Sequence, residues 1–102
     1  MLKQVVQEDL EVLIMGRLLS SEAKLDLLTL FHDSPGLIDT VDGIALRVGR
    51  TASEIGKEVT DLLDFGLLLK KKIGKSEVIY LDTARDFEIQ QMIAERLRRK
   101  TE

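Results

Sequence analysis

Between Ile44 and Leu68, apolar residues recur at helical spacing in two short stretches, and the second runs into an apolar, strand-like segment. Ile44, Ala45 and Val48 form the inner face of the first predicted helix. Asp39 is a suitable N-cap for that helix, because its carboxylate can accept from a free backbone N–H group. The pattern predicts a helix-turn-helix that leads into a β-hairpin.

The second helix of the pair has the stronger local signals. Gly49 precedes it and can adopt the left-handed conformation that a tight connection between helices often needs. Thr51-Ala52-Ser53-Glu54 has the composition of a capping box, in which the Thr and Glu side chains bond each other's backbone N–H groups. Gly66 is placed to end the helix. Its predicted buried face consists of Ile55, Val59, Leu62 and Leu63.

Strand patterns follow this helix. Leu67–Ile73, the turn Gly74-Lys75-Ser76 and Val78–Leu81 together predict a β-hairpin. Asp82 or Thr83 then caps a last helix. The apolar stripe of that helix is Phe87, Ile89, Ile93 and Leu97.

The first part of the chain predicts two further helices. Residues 3–15 have helical spacing, although a strand over Glu11–Leu19 is an alternative. Ser20 or Ser21 caps the next helix, which ends at Ser34-Pro35-Gly36, and Leu37-Ile38 is long enough for a minimal strand. The expected organisation is a single domain with an N-terminal helix over 1–19, a core over 20–83 and a C-terminal helix over 84–102.

These elements and their apolar positions resemble a winged helix-turn-helix domain of bacterial and archaeal transcription regulators, similar in the broad sense to the MarR and ArsR types. The resemblance covers about residues 18–83. It implies an α+β fold with a three-helix core, a β-hairpin wing and additional N- and C-terminal helices. The residues that carry it are Ala45, Gly49, Ile55, Val59, Leu62, Gly66, Leu67 and Leu68, preceded by a supporting helix within Leu18–Phe31.

Composition and charge reduce the number of function classes that fit this sequence. The 102 residues are 44% apolar and include no cysteine, and the longest apolar run is far too short to span a membrane. We therefore expect a cytoplasmic protein. Residues 44–76 carry seven Lys/Arg against four Asp/Glu, whereas residues 1–43 carry three against eight. The basic part coincides with the helix-turn-helix and hairpin, which indicates contact with a polyanion.

The resemblance implies that helix 51–64 enters the major groove of double-stranded DNA and that the hairpin contacts phosphates. It places Arg47 and Arg50 near the DNA backbone and Lys75 at the wing tip. Lys70 and Lys72 alternate with Lys71, so the three cannot all face one partner. The residues expected to face the groove are Thr51, Ala52, Ser53, Lys57 and Thr60.

Glu58 and Asp61 depart from the family pattern, because carboxylates on the outward face of this helix would be repelled by phosphates. They keep open the alternative of a winged-helix module that binds a protein partner instead of DNA. The outer helices favour a homodimer through the N- and C-terminal helices. The chain has no motif for an enzyme, a metal site or a cofactor, so none is expected.

Overall fold

The computed structural model describes residue 13 and residues 16–101. The helix predicted over 3–15 therefore falls almost entirely outside the described residues. The strand alternative over Glu11–Leu19 is wrong where it can be compared, because residues 13 and 16–18 are helical. The elements that follow are α1 (Glu22–Asp33), β1 (Ile38–Asp39), α2 (Val41–Arg47), α3 (Ala52–Asp64), β2 (Leu68–Ile73), β3 (Ser76–Leu81) and α4 (Thr83–Thr101).

Helix α1 begins after Ser21, whose hydroxyl accepts from the backbone N–H of Lys24 at 3.0 Å. It ends at Asp33, directly before Ser34 and Pro35, as the sequence predicts. Leu27 and Phe31, one turn apart, are fully buried beneath the other helices.

The start of α2 differs from the prediction. Its N-cap is Thr40, whose hydroxyl accepts from Gly43 N–H at 3.1 Å, and not Asp39. Asp39 belongs to β1, and its carboxylate accepts from the Thr40 N–H at 2.7 Å and from Arg47 Nε at 3.3 Å. A Cβ at Gly43 would overlap that carboxylate. This close approach explains a glycine inside a helix, where it ordinarily costs about 1 kcal/mol relative to alanine.

Helix α3 has the predicted boundaries. Both hydrogen bonds of the capping box between Thr51 and Glu54 are present. Gly49 and Gly66, on either side of the helix, have φ values of +70° and +83°. Both lie in the left-handed region that favours glycine, so the two chain reversals that bound α3 depend on them.

The three strands form one antiparallel sheet in the order β1-β3-β2. Leu68 pairs with Leu81 and Lys70 with Ile79, so these residues share one face of the sheet. Leu68, Ile79 and Leu81 are buried on the face that meets the helices. The hairpin is one residue shorter at its start than predicted, and Ser76 belongs to β3 and not to the turn.

The core lies between the helices and the inner face of the sheet. Both ends of the described chain contribute to it, through Leu18 ahead of α1 and Ile89 in α4. The predicted stripe of α4 is divided, because Ile89 is buried and Ile93 packs on the core while Phe87 and Leu97 are 62% and 57% exposed. No helix within the described residues is long and apolar enough to cross a membrane. Besides Leu18 and Ile89, the buried residues that form the core are Leu27, Phe31, Ile44, Ala45, Ile55, Val59, Leu62, Leu67, Leu68, Ile79 and Leu81.

Candidate nucleic-acid interface

The outward face of α3 lies opposite its buried residues Ile55, Val59 and Leu62. At 100° per residue, Ser53, Lys57 and Thr60 fall on that outward face, and all three are exposed. Ala52 lies at the start of the helix and is half-buried. Asp64, which the sequence reasoning missed, also lies on the outward face, at the carboxyl end of the helix.

The hydroxyl groups at this surface are engaged within the helix. Thr51 Oγ1 accepts from Glu54 N–H at 3.2 Å and lies 3.2 Å from Ser53 Oγ. Thr60 Oγ1 donates to the Gly56 carbonyl at 3.0 Å. Lys57, by contrast, makes no hydrogen bond or ion pair with any described residue. It is therefore the one long side chain of the outward face with its donors free for a ligand.

Glu58 and Asp61 do not point outward, which corrects the expectation from the sequence. Ser21 Oγ donates to Glu58 Oε1 at 3.2 Å, and Lys24 Nζ donates to Asp61 Oδ2 at 3.2 Å. Both carboxylates are thus directed towards α1 and are partly shielded by it. They connect α3 to α1, and the phosphate repulsion expected from an outward position is correspondingly reduced.

Lys24 is the centre of this connection. It is the buried charged residue of the described chain, at 3% exposure. Besides Asp61, its ammonium donates to the Arg17 carbonyl at 3.0 Å and to Ser20 Oγ at 3.1 Å. All three donors of the ammonium group therefore have acceptors, which offsets the cost of burying the charge.

A second connection lies at the end of α3. Phe65 is the C-cap of the helix, and the Arg17 guanidinium lies 5.6 Å from the centre of its ring. The Arg85 guanidinium of α4 lies 5.7 Å from the same ring. Residues from both flanking segments therefore contact the end of α3 by cation–π interactions.

The two arginines expected near DNA already have acidic partners. Arg47 is half exposed and bonds Asp39 at 3.3 Å. Arg50 Nη2 lies 2.9 Å from Asp26 Oδ2, and Arg50 Nη1 lies 3.9 Å from Glu54. The hydrogen bond that Arg50 donates to the Asp26 carboxylate raises the pKa of Arg50 above its usual value. Arg50 thus also links α1 to the start of α3.

The lysines of the hairpin divide between its two faces. Lys70 and Lys72 share one face, and Lys71 lies on the other with its ammonium 5.0 Å from the centre of the Tyr80 ring. Lys75 is exposed in the turn. Lys70, Lys72 and Lys75 have no ion pair with the part of the chain that the structure describes. Thr60, Asp64 and Lys70 line one open groove, so the outward face of α3 adjoins the hairpin.

Helices α2 and α3 form a tandem pair that is supported by α1. A three-stranded antiparallel sheet with a projecting hairpin packs against these helices. Together the elements define the winged helix-turn-helix fold, in the α+β class. Solved structures agree with this assignment. The homodimeric winged helix-turn-helix DNA-binding domain of a possible ArsR-family transcriptional regulator from Mycobacterium bovis superposes with a TM-score of 0.60 at 22% identity, over 91% of this chain and 85% of that one.

Two further structures superpose similarly. A possible transcriptional regulatory protein from Mycobacterium bovis has a TM-score of 0.59 at 23% identity, over 83% of this chain and 91% of that one. A possible transcriptional regulator from Methanosarcina mazei has a TM-score of 0.61 at 17% identity, over 90% and 85%. No family model and no curated protein matches the chain. At these identities the likeness establishes the fold alone.

Proposed function

We propose that this protein is a DNA-binding transcription regulator that places α3 in the major groove and the β2–β3 hairpin against the phosphate backbone. The observation that carries this proposal is that Lys57 on α3 and Lys70, Lys72 and Lys75 on the adjoining hairpin have no acidic partners among the described residues. The acidic residues Glu58 and Asp61 of the same helix are directed towards α1. The names of the structural neighbours, which include a DNA-binding domain, support the same function.

The proposed DNA contacts fall into two groups, those to base edges and those to phosphates. The exposed face of α3, with Ser53, Lys57 and Thr60, is suited to base edges. Ala52 and Thr51 adjoin it at the helix start, where Thr51 acts mainly as the cap. The cations assigned to phosphates are Arg47, Lys70, Lys72 and Lys75, together with Arg50, which is paired with Asp26.

A homodimer through the terminal helices is part of the proposal. An open apolar groove of about 490 Å³ lies between residues 18–19, α1 and α4, and it is lined by Leu28, Ile93 and Leu97. Leu19 beside it is 55% exposed. Burial of this surface against a second copy would remove it from water and place two α3 helices on successive half-sites. The neighbour described as homodimeric supports this arrangement.

The alternative of a protein-binding module depended on Glu58 and Asp61 as an exposed acidic face. Because both carboxylates bond side chains of the α1 region, that alternative loses its main support. We therefore retain it only as an outcome of the experiment that follows.

The test is binding to a random-sequence duplex, measured by fluorescence anisotropy over a range of salt concentrations. Each phosphate contact contributes about 0.9 to the slope of log affinity against log salt. Lys75→Ala should weaken binding to all sequences alike and reduce the slope by about 1. Lys71→Ala is the matched control, because Lys71 lies on the other face of the hairpin beside Tyr80, and its slope should not change. A wild-type protein that does not bind duplex DNA at low salt would contradict the proposal.

A further inference from the structure

The residues on the outward face of α3 differ in whether their hydrogen-bond donors are available to a ligand. Ser53 and Thr60 carry hydroxyls, but these lie within hydrogen-bonding distance of Thr51 Oγ1 and of the Gly56 carbonyl. Gly56 has no side chain, and there is open space around the position of its missing Cβ. Lys57 alone on this face combines a long side chain with an ammonium that has no partner among the described residues.

An ammonium group carries three donors and no acceptor. In the major groove, guanine presents two adjacent acceptors, O6 and N7, whereas adenine pairs its N7 acceptor with an N6 amino donor. Cytosine presents an amino donor, and thymine presents one acceptor beside a methyl group. A lysine that reaches base edges therefore favours guanine over each of the other bases.

We propose that Lys57 is the residue that determines sequence specificity, and that it does so by reading one guanine in each half-site. This inference rests on the proposed function, since it requires α3 to lie in the major groove. The short side chains of Ser53 and Thr60 allow close approach but direct few donors to the bases, so neighbouring positions are weakly specified. The expected binding motif has one dominant guanine and a shallow preference elsewhere.

Selection of bound duplexes from a random library, followed by sequencing, tests this inference with four proteins. The wild type should enrich one guanine, with a preference of about tenfold or more over the other bases at that position. Lys57→Met replaces lysine with an uncharged, unbranched side chain of similar length, and it should lose that preference while retaining weak binding. Lys57→Gln should shift the preference from guanine to adenine, because glutamine can bond adenine N6 and N7 together. Lys71→Ala, outside the proposed interface, should reproduce the wild-type motif.

The possible results distinguish a failure of the proposed role of Lys57 from a failure of the proposed DNA-binding function. A guanine preference that survives in Lys57→Met, or a wild-type motif without a dominant guanine, overturns the role of Lys57 and leaves salt-dependent DNA binding intact. Failure of the wild type to bind any duplex at low salt overturns the proposed function and the inference together. Circular dichroism of each variant verifies folding, and the exposure of Lys57 and Lys71 makes the substitutions at both positions compatible with the fold.

Discussion

Replacement of Lys24 by methionine would remove the ammonium that joins α3 to α1 while keeping an unbranched side chain of similar length. The Lys24 side chain is 4% exposed, and its Nζ donates at 3.0–3.2 Å to Arg17 O, Ser20 Oγ and Asp61 Oδ2. After the substitution Asp61 keeps its negative charge and loses its cationic partner. Removal of one partner from a fully buried ion pair typically costs about 3–5 kcal/mol.

The expected cost here is smaller because Asp61 is 31% exposed and can be partly hydrated. The Arg17 carbonyl and the Ser20 hydroxyl also belong to exposed residues. We therefore expect Lys24→Met to lower the free energy of unfolding by about 2 kcal/mol. For a domain of this size, that corresponds to a melting temperature lower by roughly 10 °C.

Urea titrations followed by circular dichroism, at one fixed protein concentration, measure the effect. The double variant Lys24→Met/Asp61→Leu removes the remaining carboxylate as well, so it should lose less stability than the two single changes added together. Lys57→Met is the matched control, because this exposed lysine of α3 has no partner in the described chain, and its effect should stay within about 0.5 kcal/mol. A Lys24→Met protein as stable as the control, or single effects that simply add, would refute this account of the connection.

Four further changes test other features. Gly56→Ala should stabilise the protein by about 0.5–1 kcal/mol in urea titrations, since it adds a methyl group to a helix interior with open space around it. Gly43→Ala should instead lose about 1 kcal/mol, because the new Cβ displaces a carboxylate that bonds its neighbours; equal gains at both glycines would contradict this. Thr51→Ala should cost about 1 kcal/mol through loss of the cap, and an unchanged unfolding midpoint would count against the capping box. Leu97→Glu should shift the protein from dimer to monomer in light scattering, whereas Leu46→Glu, at an 80% exposed position away from the groove, should not.

Local signals in the sequence predicted α3 well. The ends of α3 are set by residues within it or next to it, namely the capping box, Gly49 and Gly66. Residues close in the sequence are therefore enough to predict where this helix begins and ends. The division of the hairpin lysines between two faces likewise follows from the alternation of side chains along a strand.

Features that depend on distant residues could not be predicted in this way. Glu58 and Asp61 bond partners 37 positions earlier in the chain, and Arg50 bonds Asp26, 24 positions earlier. Helical spacing alone does not show which flank of α3 meets α1, so these carboxylates were wrongly expected to face outward. The misplaced cap of α2 has a similar cause, because pairing of Asp39 with Ile79 draws it into the sheet and leaves Thr40 to begin the helix.

The aromatic ring of Phe65 contacts both Arg17 and Arg85, which lie on either side of the helix-turn-helix and hairpin in the sequence. These contacts limit how far the protein can be truncated at each end without loss of stability. A fragment limited to 20–83 contains every residue of the helix-turn-helix and the hairpin, yet it lacks both guanidinium groups and the core side chains Leu18 and Ile89. We expect such a minimal fragment to expose one end of α3 to solvent and to unravel there first. Expression tags and domain fusions are therefore better attached outside these flanking segments than in place of them.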